Sequence, residues 1–279
     1  MRTRALVGLP FAAFVGLFLL YPTAVVLWRA ITPGGTPGTA ALERAISDPY
    51  QATFINSIKL SAASALIGAI VGLALGLAIQ GLTRPRWVKP VFESWAAVAS
   101  QLGGVPLAFA FVAAIGTQGI LTKMLRETTG FSLIDHHLGP TGFWGLVVVY
   151  LYFQIPLMFL VILPAVSGLK PTWREAAAIM GASSTRYWRS VALPILLPAF
   201  IGGFLLLFVN AFSAYATAYV ISTETDIVPL QIRFLLQGNV ITGETDLAYA
   251  IVTWTVLLLL VAVLMMGLAN RRAATWSRQ

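Results

Sequence analysis

Six apolar runs, each long enough to cross a lipid bilayer, divide this chain at about Ala5–Trp28, Ser57–Leu82, Ser94–Gly116, Gly142–Val166, Pro194–Ile221 and Leu247–Leu268. The hydrocarbon core takes about 20 residues of helix to span. No water reaches backbone groups there, so a spanning segment must satisfy its own N–H and C=O groups, and a helix does this within one run of chain. The fold class that follows is all-α, a polytopic membrane protein with six transmembrane helices. Composition agrees: 10% of residues are charged, where a soluble domain carries about 25%. Gly, Ala and Ser recur within the runs and suit close helix packing in lipid. Pro106, Pro156 and Pro164 inside them predict kinks rather than ends. The whole of 1–279 is read as one transmembrane domain.

Arg2 and Arg4 precede the first run, as in a secretory signal. The run is longer than a signal's apolar region and lacks a small-x-small cleavage site, so an uncleaved span is expected.

The formal net charge is +8, which could point to nucleic acid, but the placement of the charges argues otherwise. With a cytoplasmic N-terminus, Arg2, Arg4, Arg84, Arg86, Lys89, Lys170, Arg174, Arg186, Arg189, Arg271, Arg272 and Arg278 face the cytoplasm. Arg29, Arg44, Lys59, Lys123, Arg126 and Arg233 face outward, and of the acids only Glu93 and Glu175 lie inside. An excess of Lys and Arg marks the cytoplasmic side. Both termini are therefore expected inside, in a bacterial plasma (inner) membrane, with lipid as the partner that the basic residues meet and no nucleic acid.

Other chemistries find little support. The chain has no cysteine, which excludes disulfides and thiolate metal sites. His136 and His137 are adjacent in a polar loop, and neighbouring side chains point apart, so no metal is expected there. No span centre carries an ionisable residue of the kind that builds proton relays and voltage sensors. No phosphate-binding G-x-x-x-x-G-K-[ST] motif occurs. No cofactor and no catalytic residues are expected, and energy for any active transport must come from another polypeptide.

One polar interruption stands out. Between the fourth and fifth runs, within about 167–193, the chain reads EAAAIMGASSTRYWRSVALP from Glu175 to Pro194. Thr172 and Glu175 have capping-box spacing. A short helix from Trp173 to about Met180 would place Ala176, Ile179 and Met180 in an apolar stripe. Gly181 can end it in the left-handed conformation, and Ser183 or Ser184 can cap a second helix carrying Arg186 and Arg189 into Pro194. A helix-turn-helix suggests DNA, but this one is tethered between two spans with no core of its own. An interfacial helix on lipid headgroups and a knob presented to a soluble partner both fit, and the small residues suit the knob.

Glu175-Ala176-Ala177, three residues, Gly181, nine residues, Val191, one residue and Leu193-Pro194 resemble the E-A-A-x3-G-x9-I-x-L-P signature of ABC importer permeases, with valine for isoleucine. The six-span layout resembles the type I, MetI-like permease fold over nearly the whole chain. The resemblance implies that this loop is a coupling helix, with Glu175, Ala176, Ala177, Gly181, Leu193 and Pro194 serving docking and turn roles toward a cytoplasmic ATPase. It further implies two ABC ATPase subunits per complex, a second permease subunit, identical or homologous, and an extracytoplasmic substrate-binding protein.

Polar residues inside the spans are the candidates for a translocation path. Asn210, Ser213 and Thr217 fall on one face of a continuous helix at i, i+3 and i+7. An unpaired amide in hydrocarbon is costly, so this face meets either another helix or water. Gln101 and Gln154 carry the same two readings. The outer loop from Ile227 to Gly238 resembles that of permeases for polyamines and related small cationic or zwitterionic solutes. Tyr215, Tyr219 and Trp254 could face such a cation or form an interfacial belt. A stand-alone secondary transporter or channel, and a scaffold that recruits a partner without transport, are the alternatives from other classes.

Overall fold

The structure is a computed structural model that describes residues 10–82, 84–131, 139–221, 226–237 and 244–276, with side chains described as far as Ala269. His136, His137 and the start of the first apolar run lie outside the described residues.

The described helices are α1 (Pro10–Ile31), α2 (Ala40–Ala45), α3 (Tyr50–Gly81), α4 (Val88–Gln101), α5 (Val105–Ile115) and α6 (Ile120–Thr129). They continue with α7 (Phe143–Ser167), α8 (Pro171–Ile179), α9 (Ser184–Phe212), α10 (Tyr215–Ile221), α11 (Val228–Gln237) and α12 (Thr245–Trp276). Six helical segments among the described residues are long and apolar enough to cross a membrane. The third of these is Val105–Thr129, which comprises α5 and α6.

The chain forms two compact units: Met1–Ile55 with Asp226–Leu259, and Asn56–Thr225 with Leu260–Gln279. In the second, α7 is the central element. Its Tyr150, Met158, Phe159 and Ile162 are fully buried. On α3, Gly68, Gly72 and Gly76 recur every fourth residue and meet Gln154, Met158 and Ile162, which recur every fourth residue on α7. A Cβ at Gly72 would sit 2.5 Å from the Met158 Cβ, and one at Gly203 of α9 would sit 2.6 Å from its Sδ. Two glycines thus admit one methionine between helices. In lipid such close van der Waals contact, rather than release of water, is what joins helices. The T-shaped pair of Phe92 and Phe159, 4.9 Å between centroids, fastens α4 to α7.

In the first unit, polar bonds tie distant segments together. The Gly34 N–H donates to the Asp246 carboxylate at 2.8 Å, Arg44 pairs with Glu244 at 2.9 Å, and the Thr53 hydroxyl donates to Asp226 at 2.7 Å. The segment expected as a loop after Ile227 is the helix α11. Its Val228 and Leu235, seven residues apart, are both buried, so its inner face is apolar.

Of the three prolines expected inside spans, Pro106 instead stands in the first turn of α5, just after a helix break. Pro156 and Pro164 lie inside an uninterrupted α7. Pro22 and Pro194 each follow a five-residue π-helical turn, Gly16–Leu20 and Trp188–Ala192. A proline ring crowds the carbonyl four residues back, and one wide turn placed there relieves the clash without ending the helix. The helix after the polar loop therefore runs on through Pro194 into the fifth span.

Candidate functional site

The loop between α7 and α9 folds as two capped helices. Pro171 occupies the first position of α8, where a missing N–H costs nothing and the fixed φ is already helical. Thr172 is thereby drawn inside the helix, Lys170 becomes the cap residue with no side-chain bond, and the expected Thr172–Glu175 capping box does not form. Lys170 instead lies over the Trp173 ring at 5.8 Å.

The far end of α8 follows expectation. Gly181 has φ +73°, its N–H reaches the Ala178 carbonyl at 3.0 Å, and the Ala182 N–H reaches Ala177 at 2.9 Å. This pair of bonds is a Schellman cap. Ala177 and Ala182 close over Tyr187 and Ala192 in a small apolar cluster. Ser183 then caps α9, its hydroxyl accepting from the Arg186 N–H at 3.3 Å.

Glu175 and Ala176 are exposed, whereas Ala177 points into that cluster. Leu193 is exposed and Pro194 half-buried, both just after the π-turn. Ile179 and Met180 are 87% and 79% exposed, an apolar tip beside the glycine turn. The loop can therefore hold a rigid, small-residue helix with an uncovered apolar end.

A second arrangement lies within the spans. The run expected as one helix from Ser94 to Gly116 is cut at Leu102–Gly104, between α4 and α5. Gly104 has φ +77° and ψ −150°, a region that is essentially glycine-only. The run expected from Pro194 to Ile221 is cut at Ser213–Ala214, between α9 and α10. The two cuts meet. Thr217 Oγ1 accepts from the Gly104 N–H at 2.8 Å, and the Tyr150 hydroxyl donates to the Ala214 carbonyl at 2.9 Å. Broken backbone at membrane depth is tolerated only where protein or water satisfies it, and here side chains supply part of the bonding.

Between the cuts lies an open cavity of about 420 Å³, with Ser100, Gln101, Asn210, Ser213 and Thr217 on its walls beside Phe153 and Tyr215. Gln101, Asn210, Ser213 and Thr217 are thus brought together, although the helix break, not a continuous i, i+3, i+7 face, does so. Gln154 is elsewhere. It is fully buried, its Nε2 donating to Ser64 Oγ at 3.0 Å. Tyr215 stacks on Tyr219 with centroids 5.5 Å apart, and the Trp254 ring N–H donates to the Leu42 carbonyl at 3.1 Å. Sequence reasoning missed Ser100, Phe153 and the breaks themselves; the Gly103-Gly104 dipeptide two residues before Pro106 is the signal that marks the first.

Taken together, the fold and site define a polytopic α-helical membrane protein with a polar cavity among its spans and a capped helix pair outside them. The chain belongs to the family of binding-protein-dependent transport system inner membrane components, which it matches over residues 68–275. It is 23% identical over 80% of its length to a putative ferric transport system permease protein, FbpB 1, of Haemophilus influenzae, covering 34% of that protein. It is 22% identical over 93% of its length to the ferric permease FbpB of Actinobacillus pleuropneumoniae, covering 37%. The chain thus spans about a third of these two relatives. The spermidine/putrescine permease PotC of Haemophilus influenzae is 28% identical, with 80% of this chain and 81% of PotC covered. A bacterial ABC transporter involved in import of the acidic polysaccharide alginate contains a chain of the same fold, with a TM-score of 0.76 at 18% identity, covering 98% of this chain and 95% of that one.

Proposed function

We propose that this chain forms, with a second permease subunit, identical or homologous, the translocation path of an ATP-driven importer. The observation that carries the reading is the α8 unit: a helix locked at its end by Gly181, with Ile179 and Met180 uncovered. An exposed apolar tip on a rigid mount suits insertion into a partner's groove. Two cytoplasmic ATPase subunits would supply that groove, one for each permease. An extracytoplasmic binding protein would deliver cargo at the opposite face, as the alginate transporter's complex with a pentasaccharide-bound periplasmic protein illustrates for that system.

Within this single transmembrane domain, Glu175, Ala176 and the Ile179–Met180 tip meet the ATPase, while Ala177, Gly181, Leu193 and Pro194 set the turn and the helix that follows. Gln101, Asn210, Ser213 and Thr217 belong to the path. The twelve-to-six distribution of basic residues supports cytoplasmic termini. The cargo is a small polar solute, and a polyamine-like cation is the reading favoured by the segment from Ile227 to Gly238. The relatives' named cargoes, ferric ion, spermidine/putrescine and sn-glycerol-3-phosphate, differ in charge, which supports selection by the binding protein rather than by the permease.

The test is co-purification of the ATPase with Ile179→Asp and Met180→Asp variants, alongside cargo uptake in cells. Loss of both with normal membrane insertion is expected, and full ATPase recovery would overturn the docking role. Orientation is checked by Ser184→Cys, which should react with an impermeant thiol reagent only from the cytoplasmic side.

A further inference from the structure

Beside α8 lies a second cavity of about 640 Å³, formed where the ends of α3 and α7 meet the first turns of α8 and the start of α9. Leu77 and Trp188 are on its apolar wall, and Gln80, Lys170, Arg174 and Glu175 contribute polar groups. The charged residues here are not engaged with one another. Among the described residues the ion pair within 4.0 Å is Arg44–Glu244, so neither Lys170 nor Arg174 is closed onto Glu175. Gln80 Oε1 is buried and has no hydrogen-bond partner.

An orphaned buried acceptor asks for a donor, and two cations without a carboxylate partner beside the first turn of a helix, Lys170 resting only on the Trp173 ring, ask for an anion. One chemical group answers both: a phosphate ester that also carries an O–H or N–H donor. The apolar wall suits an acyl chain, so the ester fits a phospholipid headgroup, while a free phosphate ester shares the same recognising chemistry.

We propose that this cavity binds such a phosphate ester, its phosphate held by Lys170 and Arg174 and its donor group by Gln80. Bound there, the ester fastens α8 to α3 and α7. The consequence for transport rests on the docking role proposed for α8; the binding itself does not.

The experiment is native mass spectrometry of the purified full-length chain, titrated separately with phosphatidylethanolamine, phosphatidylglycerol and phosphatidylcholine. The first two carry a donor and the third does not. Expected is about tenfold higher occupancy by the donor-bearing lipids, the scale of one hydrogen bond. Lys170→Gln/Arg174→Gln should lose that occupancy while melting as the unaltered chain does, since both side chains are exposed. Gln80→Leu should lose only the preference over phosphatidylcholine. Displacement of the lipid by millimolar soluble phosphoethanolamine would assign the site to free esters, and retention would assign it to the membrane. Equal occupancy by all three lipids, no loss in the double variant, or an equal loss in Arg86→Gln, outside the cavity, would overturn the proposal. Because the readout is binding, it stands or falls separately from ATPase docking.

Discussion

Thr217 Oγ1 accepts a hydrogen bond from the Gly104 N–H at 2.8 Å and donates to the carbonyl of the same residue at 3.4 Å. One hydroxyl therefore reaches both backbone groups of the residue that caps α5; it is the partner of the N–H, while the carbonyl also accepts from the Ala108 N–H at 3.1 Å. The two interrupted spans are held break to break, and the cavity lined by Gln101 and Asn210 opens beside this joint.

Thr217→Val keeps the side-chain volume but leaves the Gly104 N–H unpaired, while the Gly104 carbonyl keeps its bond from the Ala108 N–H at 3.1 Å, at a cost of about 1–3 kcal/mol. The melting temperature in detergent should fall, with Thr217→Ser close to the unaltered chain because the hydroxyl remains. A Thr217→Val protein that melts normally would show that the joint does not hold the breaks together.

Gln154 and the cavity residues should separate cleanly. Gln154→Leu removes an amide whose Oε1 has no partner, and Ser64 keeps its bond to the Leu60 carbonyl at 2.8 Å. Its stability should change by no more than about 1 kcal/mol, with uptake per folded chain unaltered. Gln101→Leu and Asn210→Leu should instead lower uptake about tenfold, the scale of one lost hydrogen bond to cargo or its water, at normal yield. The opposite pattern would move the path to the α3–α7 contact.

Packing at Met158 gives a third expectation. An alanine Cβ at Gly72 would lie 2.5 Å from Met158 Cβ and 2.9 Å from the Ile155 carbonyl oxygen. Gly72→Ala should cost about 1–3 kcal/mol through overpacking. Gly81→Ala, which meets nothing within 4 Å, serves as the control, and thermal unfolding monitored by size-exclusion chromatography distinguishes the two.

Gly181 is constrained by its backbone rather than by space. Its φ is +73°, yet an added Cβ would meet nothing within 4 Å. Gly181→Val should strain the turn by roughly 1–2 kcal/mol and reduce ATPase co-purification and uptake together. Gly181→Asn, which tolerates the left-handed region, should retain most of both. Equal loss in the two variants would mean that a partner's groove excludes any side chain there.

The α8 turn was legible in the sequence because its causes are local. Gly181 and Ser183 act on carbonyls and N–H groups within five residues, so residue type and spacing determine the outcome. The start of α8 was misread by the same local logic: Pro171 and Thr172 compete for one cap, and the proline's rigid φ wins. The apolar runs were likewise legible, since the bilayer imposes their length and composition. Where a run is interrupted was not. Gly104 and Thr217 are 113 residues apart in the chain, and the same is true in kind of Gln154 and Ser64, separated by 90. Three polar residues at i, i+3 and i+7 promised a continuous face, but Ser213 lies at the break and Thr217 beyond it. Only the tertiary structure could place Gln101 on a cavity and Gln154 in the packed interior. Polarity marks a residue that needs a partner, and which partner it finds depends on helices that the chain brings together from afar.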